Sequence, residues 1–238
     1  MDAQYFTLLE KALQNEYVPH LPPLLDTKKP PEEQAKKNIS RAFSAFVLSD
    51  LCGISPSEAG NAVVDDFDDN GIDAAYYFAQ AETLYLIQGK IKATATFDRE
   101  DALKFCQGVK MLVRQEFDSF NAHVKNRQTE LEGAIENCSH IVLVVAHIGS
   151  GISKHADDDL RAFLKEKDAE DDRLQDTYES FDSVRTIEAL RVSKAFQKVN
   201  ADLNLQKCKS ISEPRETYFG MVNLLDLVQL HKIGSSAQ

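Results

Sequence analysis

Acidic residues crowd the segment before one apolar stretch, and an amide and an ammonium group end the next stretch. The segment DDFDDNGIDAAYYF carries Asp65, Asp69 and Asp73 at four-residue steps, and LYLIQGK ends with Gln88 and Lys90. Carboxylate and amide oxygens are ligands that Mg²⁺ prefers. An ammonium group can neutralise the negative charge that develops on phosphorus. These residue types therefore favour metal-assisted chemistry on a phosphate.

Both apolar stretches are predicted to be strands of one hairpin, and its register decides whether these groups meet. If the four residues AQAE form the turn, Phe78 pairs with Thr83 and Asp73 lies across from Gln88. The Cβ atoms of such a pair are about 5 Å apart. Side chains alternate along a strand, so Gln88 and Lys90 share a face and stand about 6.6 Å apart. A turn shifted by one residue would separate Asp73 from Gln88.

The predicted arrangement suits hydrolysis of a phosphodiester bond. Asp73 and Gln88 are the predicted ligands of Mg²⁺ or Mn²⁺, which would polarise the phosphate and lower the pKa of a water molecule. Lys90 would orient that water or offset the charge on phosphorus. A simpler interpretation is that Gln88 and Lys90 merely end an edge strand, where lysine protects against unwanted pairing.

The acidic segment also resembles a calcium-binding loop. Asp66, Asp68, Asn70 and Gly71 match the first, third, fifth and sixth positions of an EF-hand loop,. The twelfth position, however, is Tyr77 rather than a bidentate glutamate, and the flanking segments are not helical in pattern. A calcium loop is therefore the weaker alternative.

Several helices and strands are predicted around this hairpin. Apolar residues at helical spacing from residue 35 onward predict a helix that Gly53 ends,. The hairpin strands are predicted at about 72–78 and 83–92. Asp98 is a helix N-cap with Asp101 three residues later, which predicts a helix directly after the hairpin,.

The second half of the chain adds a buried strand and further helices. A polar helix is expected near 122–137, and HIVLVVAHI is apolar on both faces, which is typical of a central strand,. SKHADDDLRAFLKEKD predicts another helix. A helix at 184–198, a strand pair at 203–222 and a last helix, LLDLVQLHKI, complete the prediction. This mixture predicts an α/β sandwich rather than a bundle or a barrel.

Composition limits the classes of function. The chain has 238 residues and a net charge of −11, which argues against indiscriminate binding of nucleic acid,. No stretch reaches the roughly 20 apolar residues that would span a bilayer, so no membrane partner is expected. Four widely separated cysteines favour reduced thiols in a cytoplasmic protein,. Four basic residues could contact phosphate, but a position on a solvated helix surface is the better interpretation: Lys92, Lys104, Lys110 and Arg114.

The hairpin motifs resemble a known superfamily. DDFDDNGIDAAYYF followed by LYLIQGK is similar to the PD-(D/E)XK restriction-endonuclease-like superfamily, in the Mrr-like variant that has glutamine as the second site residue. GIDA, LYLIQGK, VLVVAHIGS and YFGMVNLLDLVQL, in this order, resemble the N-terminal nuclease region of abortive-infection phage-resistance (AIPR) proteins. The resemblance runs from about residue 35 to the end.

This resemblance implies a three-layer sandwich with a central mixed β-sheet flanked by helices. It implies a metal-dependent DNA endonuclease of a prokaryotic phage-defence system, with DNA as its partner and Mg²⁺ or Mn²⁺ as its cofactor. Asp73, Gln88 and Lys90 would be catalytic, and Asp65 and Asp69 would support them. Residues 1–34 would form an N-terminal helix and a proline-rich strap, and residues 35–238 the nuclease-like domain. A homodimer, a larger defence assembly and a continuation of the chain past Gln238 are compatible with it.

One departure from the superfamily pattern motivates an alternative function. The helix before the core often supplies a glutamate after a phenylalanine, whereas this chain has Phe43 followed by Ser44. Glu58 could substitute for that acid, although its spacing does not support this. With fewer acids, the chain could instead be a catalytically inactive nuclease-fold module that binds nucleic acid or protein.

Overall fold

The computed structural model describes residues 3–166, 171–192, 206–211 and 217–223. Its α-helices are α1 (Ala3–Ala12), α2 (Pro31–Cys52), α3 (Pro56–Asn61), α4 (Arg99–Val113), α5 (Ala122–Asn126), α6 (Gln128–Asn137), α7 (Lys154–Lys165) and α8 (Ser183–Val192). A short π-helix, Leu13–Tyr17, continues α1, and a 3₁₀ turn, Ala79–Ala81, joins the two strands of the hairpin. Every described helix is too short or too polar to cross a membrane.

A mixed four-stranded sheet forms the centre of the fold. Its strands are β1 (Ala74–Phe78), β2 (Thr83–Lys90), β4 (His140–His147) and β6 (Glu179–Phe181), in the order β1-β2-β4-β6. β1 is antiparallel to β2, whereas β4 is parallel to both β2 and β6. Two small pairs lie outside this sheet: β3 (Thr96–Phe97) with β5 (Gly151–Ile152), and β7 (Gln206–Ile211) with β8 (Thr217–Met221).

The hairpin has the register predicted from the sequence. Phe78 pairs with Thr83 and Ala74 with Ile87, and the backbone N–H of Asp73 donates to the Ile87 carbonyl at 2.8 Å. The intervening residues turn through the 3₁₀ segment and a left-handed residue, Glu82, with φ of 47°. Asp73 therefore lies directly before β1 and beside the end of β2.

Several local predictions are confirmed and one is corrected. Gly53 ends α2 in the left-handed conformation, with φ of 65°. Asp98 and Asp101 form a reciprocal capping box at the start of α4. HIVLVVAHI supplies β4, an interior strand of the sheet. The single helix expected near 122–137 is instead two helices, because the chain breaks at Arg127 between α5 and α6.

Helices cover both faces of the sheet. Leu84 and Leu86 of β2 face a core that includes Phe105 of α4, Leu131 of α6 and Leu160 of α7. On the opposite face, α2 contributes two phenylalanine rings. Phe43 stacks on Phe46 at 6.5 Å between ring centroids, and Phe46 meets Phe181 of β6 edge-on at 6.4 Å. Alternating side chains of one strand thus enter two separate apolar layers.

The chain divides into two compact units, Met1–Ile187 and Glu188–Gln238. The sequence predicted a boundary near residue 34, which stays a prediction. In the second unit, β7 and β8 form an antiparallel pair, as the sequence predicted for 203–222. The predicted last helix, LLDLVQLHKI, and the end of the helix predicted for 184–198 lie outside the described residues.

Candidate metal centre

A cavity of about 730 Å³ opens where β1 begins and β2 ends. Asp65, Asp69, Asp73, Gln88 and Lys90, which the sequence singled out, all line it. The remaining lining residues come from α1, α2, the segment before β1, β2, the segment after β2, and α4: Phe6, Glu10, Ala35, Lys36, Ile39, Ser40, Gly71, Gly89, Ile91, Lys92, Ala95, Asp101 and Lys104. The hairpin therefore brings the proposed site residues to one concave surface.

Three aspartates of this cavity form a compact acidic cluster. One carboxylate oxygen from each of Asp65, Asp69 and Asp73 lies within 4.8 Å of the other two. Asp73 is held by Gly89, whose backbone N–H donates to the Asp73 Oδ2 at 2.7 Å. A methyl group on Gly89 would lie 3.0 Å from the Ser44 Oγ and 3.5 Å from that same Oδ2. Glycine thus leaves room for the carboxylate beside α2.

The acidic loop, residues 65–71, is shaped by backbone conformations that need short side chains or glycine. Asp68 and Asn70 have φ of 57° and 53°, and Gly71 has φ of 79°. Asparagine and aspartate adopt this left-handed region more readily than other residues, apart from glycine. The Asp69 Oδ1 accepts the Gly71 N–H at 2.7 Å and so closes the turn.

The loop packs closely on α4. A Cβ atom on Gly108 would lie 2.1 Å from the Asn70 carbonyl oxygen, so only glycine permits this approach. The Lys104 ammonium then reaches the Asp69 Oδ1 at 2.7 Å. Lys104 was expected on a solvated helix surface, and its side chain is indeed 53% exposed, yet it contacts the acidic cluster. A glycine inside a helix, four residues after the lysine, is the sequence signal for this close contact.

Helix α2 holds the loop from the other side. The Lys37 ammonium lies 2.5 Å from the Asp66 Oδ1, and the side chain of Asp66 is fully buried. The Leu25 N–H donates to the other Asp66 oxygen at 2.8 Å. Arg41, also fully buried, donates to the Asp65 carbonyl at 2.9 Å. Asp66 therefore anchors the loop within the protein, which removes the first ligand of the calcium-loop alternative.

Burial, followed by mutual repulsion, raises the pKa values of two aspartates of the cluster. Burial and the neighbouring Asp69 raise the pKa of Asp65 to about 6. Burial, followed by the charges of Asp65 and Asp69, raises the pKa of Asp73 well above its usual value. Even with the Lys104 ammonium beside Asp69, ionising all three carboxyl groups is therefore unfavourable, and a divalent ion would relieve that repulsion.

This acidity predicts a pH-dependent metal affinity. Between the usual pKa of a carboxyl group and about 6, the folded protein binds more protons than the unfolded chain, so raising pH through this window lowers the stability of the metal-free protein,. Mn²⁺ must displace those protons. Protonation of Asp65 alone should lower the Mn²⁺ affinity about tenfold when the pH falls from 7 to 5,. Isothermal titration at both pH values measures this change. An Asp65→Asn variant should show a shallower pH dependence, and equal affinity of the wild type at both pH values would contradict the assignment.

Gln88 provides an observation independent of the acids. It is only 6% exposed, and its Oε1 has no hydrogen-bond partner among the described residues. A buried carbonyl oxygen without a partner is costly and calls for an explanation. An amide oxygen is a suitable ligand for a hard cation. Gln88, predicted from the sequence as a metal ligand, thus has an unsatisfied acceptor and lines the same cavity as the three aspartates.

Lys90 lines the cavity but already has an acidic partner. Its ammonium lies 2.6 Å from the Asp101 Oδ1, and the lysine side chain is 34% exposed. An ammonium has three N–H donors, so two remain for a water molecule or a phosphate oxygen. Asp101, which the sequence marked only as a capping residue, therefore also positions the lysine.

The acid expected from the helix before the core is absent from the cavity. Ser44 occupies that place on α2, and it is buried with an unpartnered Oγ among the described residues. Glu58 does not line the cavity; it accepts a hydrogen bond from the Tyr76 hydroxyl at 2.5 Å. The suggested substitution by Glu58 is therefore wrong. Glu10 of α1 is the glutamate that lines the cavity, and sequence spacing gave no indication of it.

No protein-family model, curated protein or solved structure matches this chain. The relationship to the PD-(D/E)XK superfamily and to AIPR proteins stays a prediction that rests on the hairpin motifs. The three aspartates themselves could hold a metal ion.

Proposed function

We propose that the chain is a Mg²⁺- or Mn²⁺-dependent nuclease that hydrolyses phosphodiester bonds in DNA. The observation that carries this proposal is the placement of three carboxylate oxygens within 4.8 Å of one another. They share one cavity with Gln88, whose amide oxygen is buried without a partner among the described residues. The sequence resemblance supports the same chemistry and suggests a cytoplasmic role in prokaryotic phage defence.

The donor set fits a hard divalent cation. Asp65, Asp69, Asp73 and Gln88 offer only oxygen atoms, which Mg²⁺ and Mn²⁺ accept. Bound there, the ion would supply positive charge to the phosphate and lower the pKa of a nearby water. This assignment adds Asp65 and Asp69, which the sequence analysis made supporting residues, to the predicted ligands Asp73 and Gln88.

The protein's own groups would orient the reacting atoms. The Gly89 N–H fixes the Asp73 carboxylate, which keeps one oxygen of this ligand from rotating away. Asp101 holds the Lys90 ammonium at the end of β2. The free N–H donors of Lys90 would bind the attacking water or a non-bridging phosphate oxygen. Preorganised donors of this kind stabilise charge that develops in the transition state.

The architecture supports this proposal at a coarser level. The sheet is central and mixed, with helices on both faces and the cavity at the end of β2. A restriction-endonuclease-like sandwich has these properties, and the hairpin of such a fold carries the site residues. We therefore include the three-layer restriction-endonuclease-like fold in the proposal.

Cleavage of circular DNA tests the function directly. We expect the wild-type protein to convert supercoiled circles to nicked or linear forms with Mg²⁺ or Mn²⁺ but not with EDTA. Lys90→Ala should reduce the rate about 100-fold or more, because it removes a donor at the reacting phosphate. Lys125→Ala, on the exposed surface of α5, is the matched control. Cleavage that survives EDTA, or that is equal in Lys90→Ala and wild type, would refute the proposal.

A catalytically inactive nuclease-fold module is the second candidate. The Lys104–Asp69 contact at 2.7 Å favours it, because an internal cation already offsets part of the cluster's charge. The net charge of −11 points the same way. Titration with Mn²⁺ separates the two functions. A metal-dependent nuclease should bind Mn²⁺, and Asp73→Asn should weaken that binding. An inactive module should neither bind Mn²⁺ in this way nor cleave DNA.

A further inference from the structure

The cavity around the acidic cluster has the size of a small-ligand site. Its volume of about 730 Å³ corresponds to a cube about 9 Å on a side. Pockets for small ligands commonly measure about 300–1,000 Å³. A B-form duplex is much wider, since its major groove alone measures about 12 Å across. Only part of a nucleic acid can therefore enter the cavity.

Helix α1 forms a fixed wall of this cavity. Its Phe6 and Glu10 line the space, while Leu9, on the adjoining part of the helix, is fully buried. The π-helical continuation carries Tyr17, whose ring meets Phe46 of α2 edge-on at 5.8 Å. Widening the cavity for a duplex would require these buried apolar contacts to separate, which costs free energy.

Two lysines of the cavity differ from the others in having no acidic partner. Lys36 on α2 and Lys92 after β2 are exposed cavity residues, and neither ammonium has an ion-pair partner in the described part of the chain. By contrast, Lys90 and Lys104 are paired with Asp101 and Asp69. Because the chain as a whole is acidic, two positive charges without acidic partners in the cavity lining are suited to a polyanion,.

We propose that the cavity admits one strand of DNA rather than a duplex, with Lys36 and Lys92 holding the phosphates that flank the scissile one. This inference rests on the proposed nuclease function and narrows its substrate to single-stranded DNA. One strand presents its phosphates without a complementary strand beside them, so a phosphate can reach the aspartates inside the cavity. The donor residues are recessed, with Asp69 only 7% and Gln88 only 6% exposed. A rigid duplex, which carries a second strand beside each phosphate, therefore reaches them less readily than a single strand.

Paired circular substrates test the choice of strand. We expect the wild-type protein with Mn²⁺ to cut single-stranded circles at least about tenfold faster than relaxed, covalently closed duplex circles of the same sequence. A tenfold difference in rate corresponds to a difference of about 1.4 kcal/mol in activation free energy. Equal rates on both circles would overturn the single-strand inference and leave the nuclease function intact. Failure to cut either circle would overturn both.

The two lysines are tested by the salt dependence of binding. A labelled single-stranded oligodeoxynucleotide is titrated with the protein in a buffer that contains Ca²⁺, at several salt concentrations. Fluorescence anisotropy of the label reports the affinity. Each phosphate contact on a single strand contributes about 0.7 to the slope of log affinity against log salt, so Lys36→Ala with Lys92→Ala should lower the slope by about 1.4. The KM for cleavage should rise while kcat changes little.

The control for this titration is Lys125→Ala with Lys165→Ala. Both lysines are exposed but lie outside the cavity lining. This variant removes the same net charge and should leave the slope close to that of the wild type. Equal slopes in the two double variants would show that Lys36 and Lys92 do not hold phosphates and would overturn their assignment.

Discussion

Replacing Asp73 with asparagine is expected to reduce Mg²⁺-dependent DNA cleavage by about 100-fold or more. Asparagine keeps the size of the side chain and an oxygen that can accept the Gly89 N–H,. It removes one of three carboxyl groups whose oxygens lie within 4.8 Å of one another and could hold the ion. Even the mutation of a residue that only supports a metal ligand commonly lowers metal affinity or activity about 10–100-fold. Loss of a direct ligand should have at least that effect.

Metal-free stability distinguishes this loss from misfolding. Burial and the charges of Asp65 and Asp69 raise the pKa of Asp73, so its ionised form is unfavourable in the folded protein. The Asp73→Asn variant should therefore be at least as stable as the wild type in EDTA at neutral pH, while its Mn²⁺ affinity falls. Asp158→Asn, on the exposed surface of α7, is the matched control. Unchanged cleavage and Mn²⁺ affinity in Asp73→Asn would remove Asp73 from the site.

Gly108→Ala is expected to cause the largest loss of stability among the substitutions considered. The added methyl group would lie 2.1 Å from the Asn70 carbonyl oxygen, which belongs to the backbone of the acidic loop. Either α4 or the loop must move, and overpacking of this kind costs about 1–3 kcal/mol or more. Movement of the loop would also displace the Asp69 carboxylate from Asp73 and reduce Mn²⁺ affinity.

A second helical glycine provides the control for this substitution. A Cβ atom on Gly133 of α6 would meet nothing within 4 Å. Gly133→Ala should therefore raise the free energy of unfolding by roughly 0.5–1 kcal/mol, because alanine loses less conformational entropy in a helix. Denaturant unfolding and Mn²⁺ titration of both variants measure the contrast. Similar effects of the two substitutions would contradict the close packing of the loop on α4.

The hairpin could be predicted from the sequence because its determinants are local. Alternating apolar residues define two strands, and a four-residue connection leaves few registers that keep the buried faces aligned. The pairing of Phe78 with Thr83 follows from that connection and is confirmed. The capping box at Asp98 and the end of α2 at Gly53 are equally local, and both are confirmed.

The arrangement of the cavity walls could not be predicted in the same way. The contact between Lys104 and Asp69 joins residues 35 positions apart, and it requires the close approach of the loop to Gly108. Glu10 reaches the cavity because the π-helical continuation of α1 packs against α2 through Tyr17 and Phe46, which no spacing rule reveals. Sequence patterns report which residues share a strand or a helix surface, whereas these contacts depend on how separate elements pack.

The anchoring of Asp66 changes what a minimal version of this protein would have to contain. A chain trimmed to begin at residue 35 would keep all three cluster aspartates, yet it would lack the Leu25 N–H that binds the Asp66 carboxylate. A fully buried carboxylate deprived of a donor is strongly destabilising. Trimming would also delete the α1 wall. The residues before α2 thus belong to the smallest unit able to hold the acidic loop in shape.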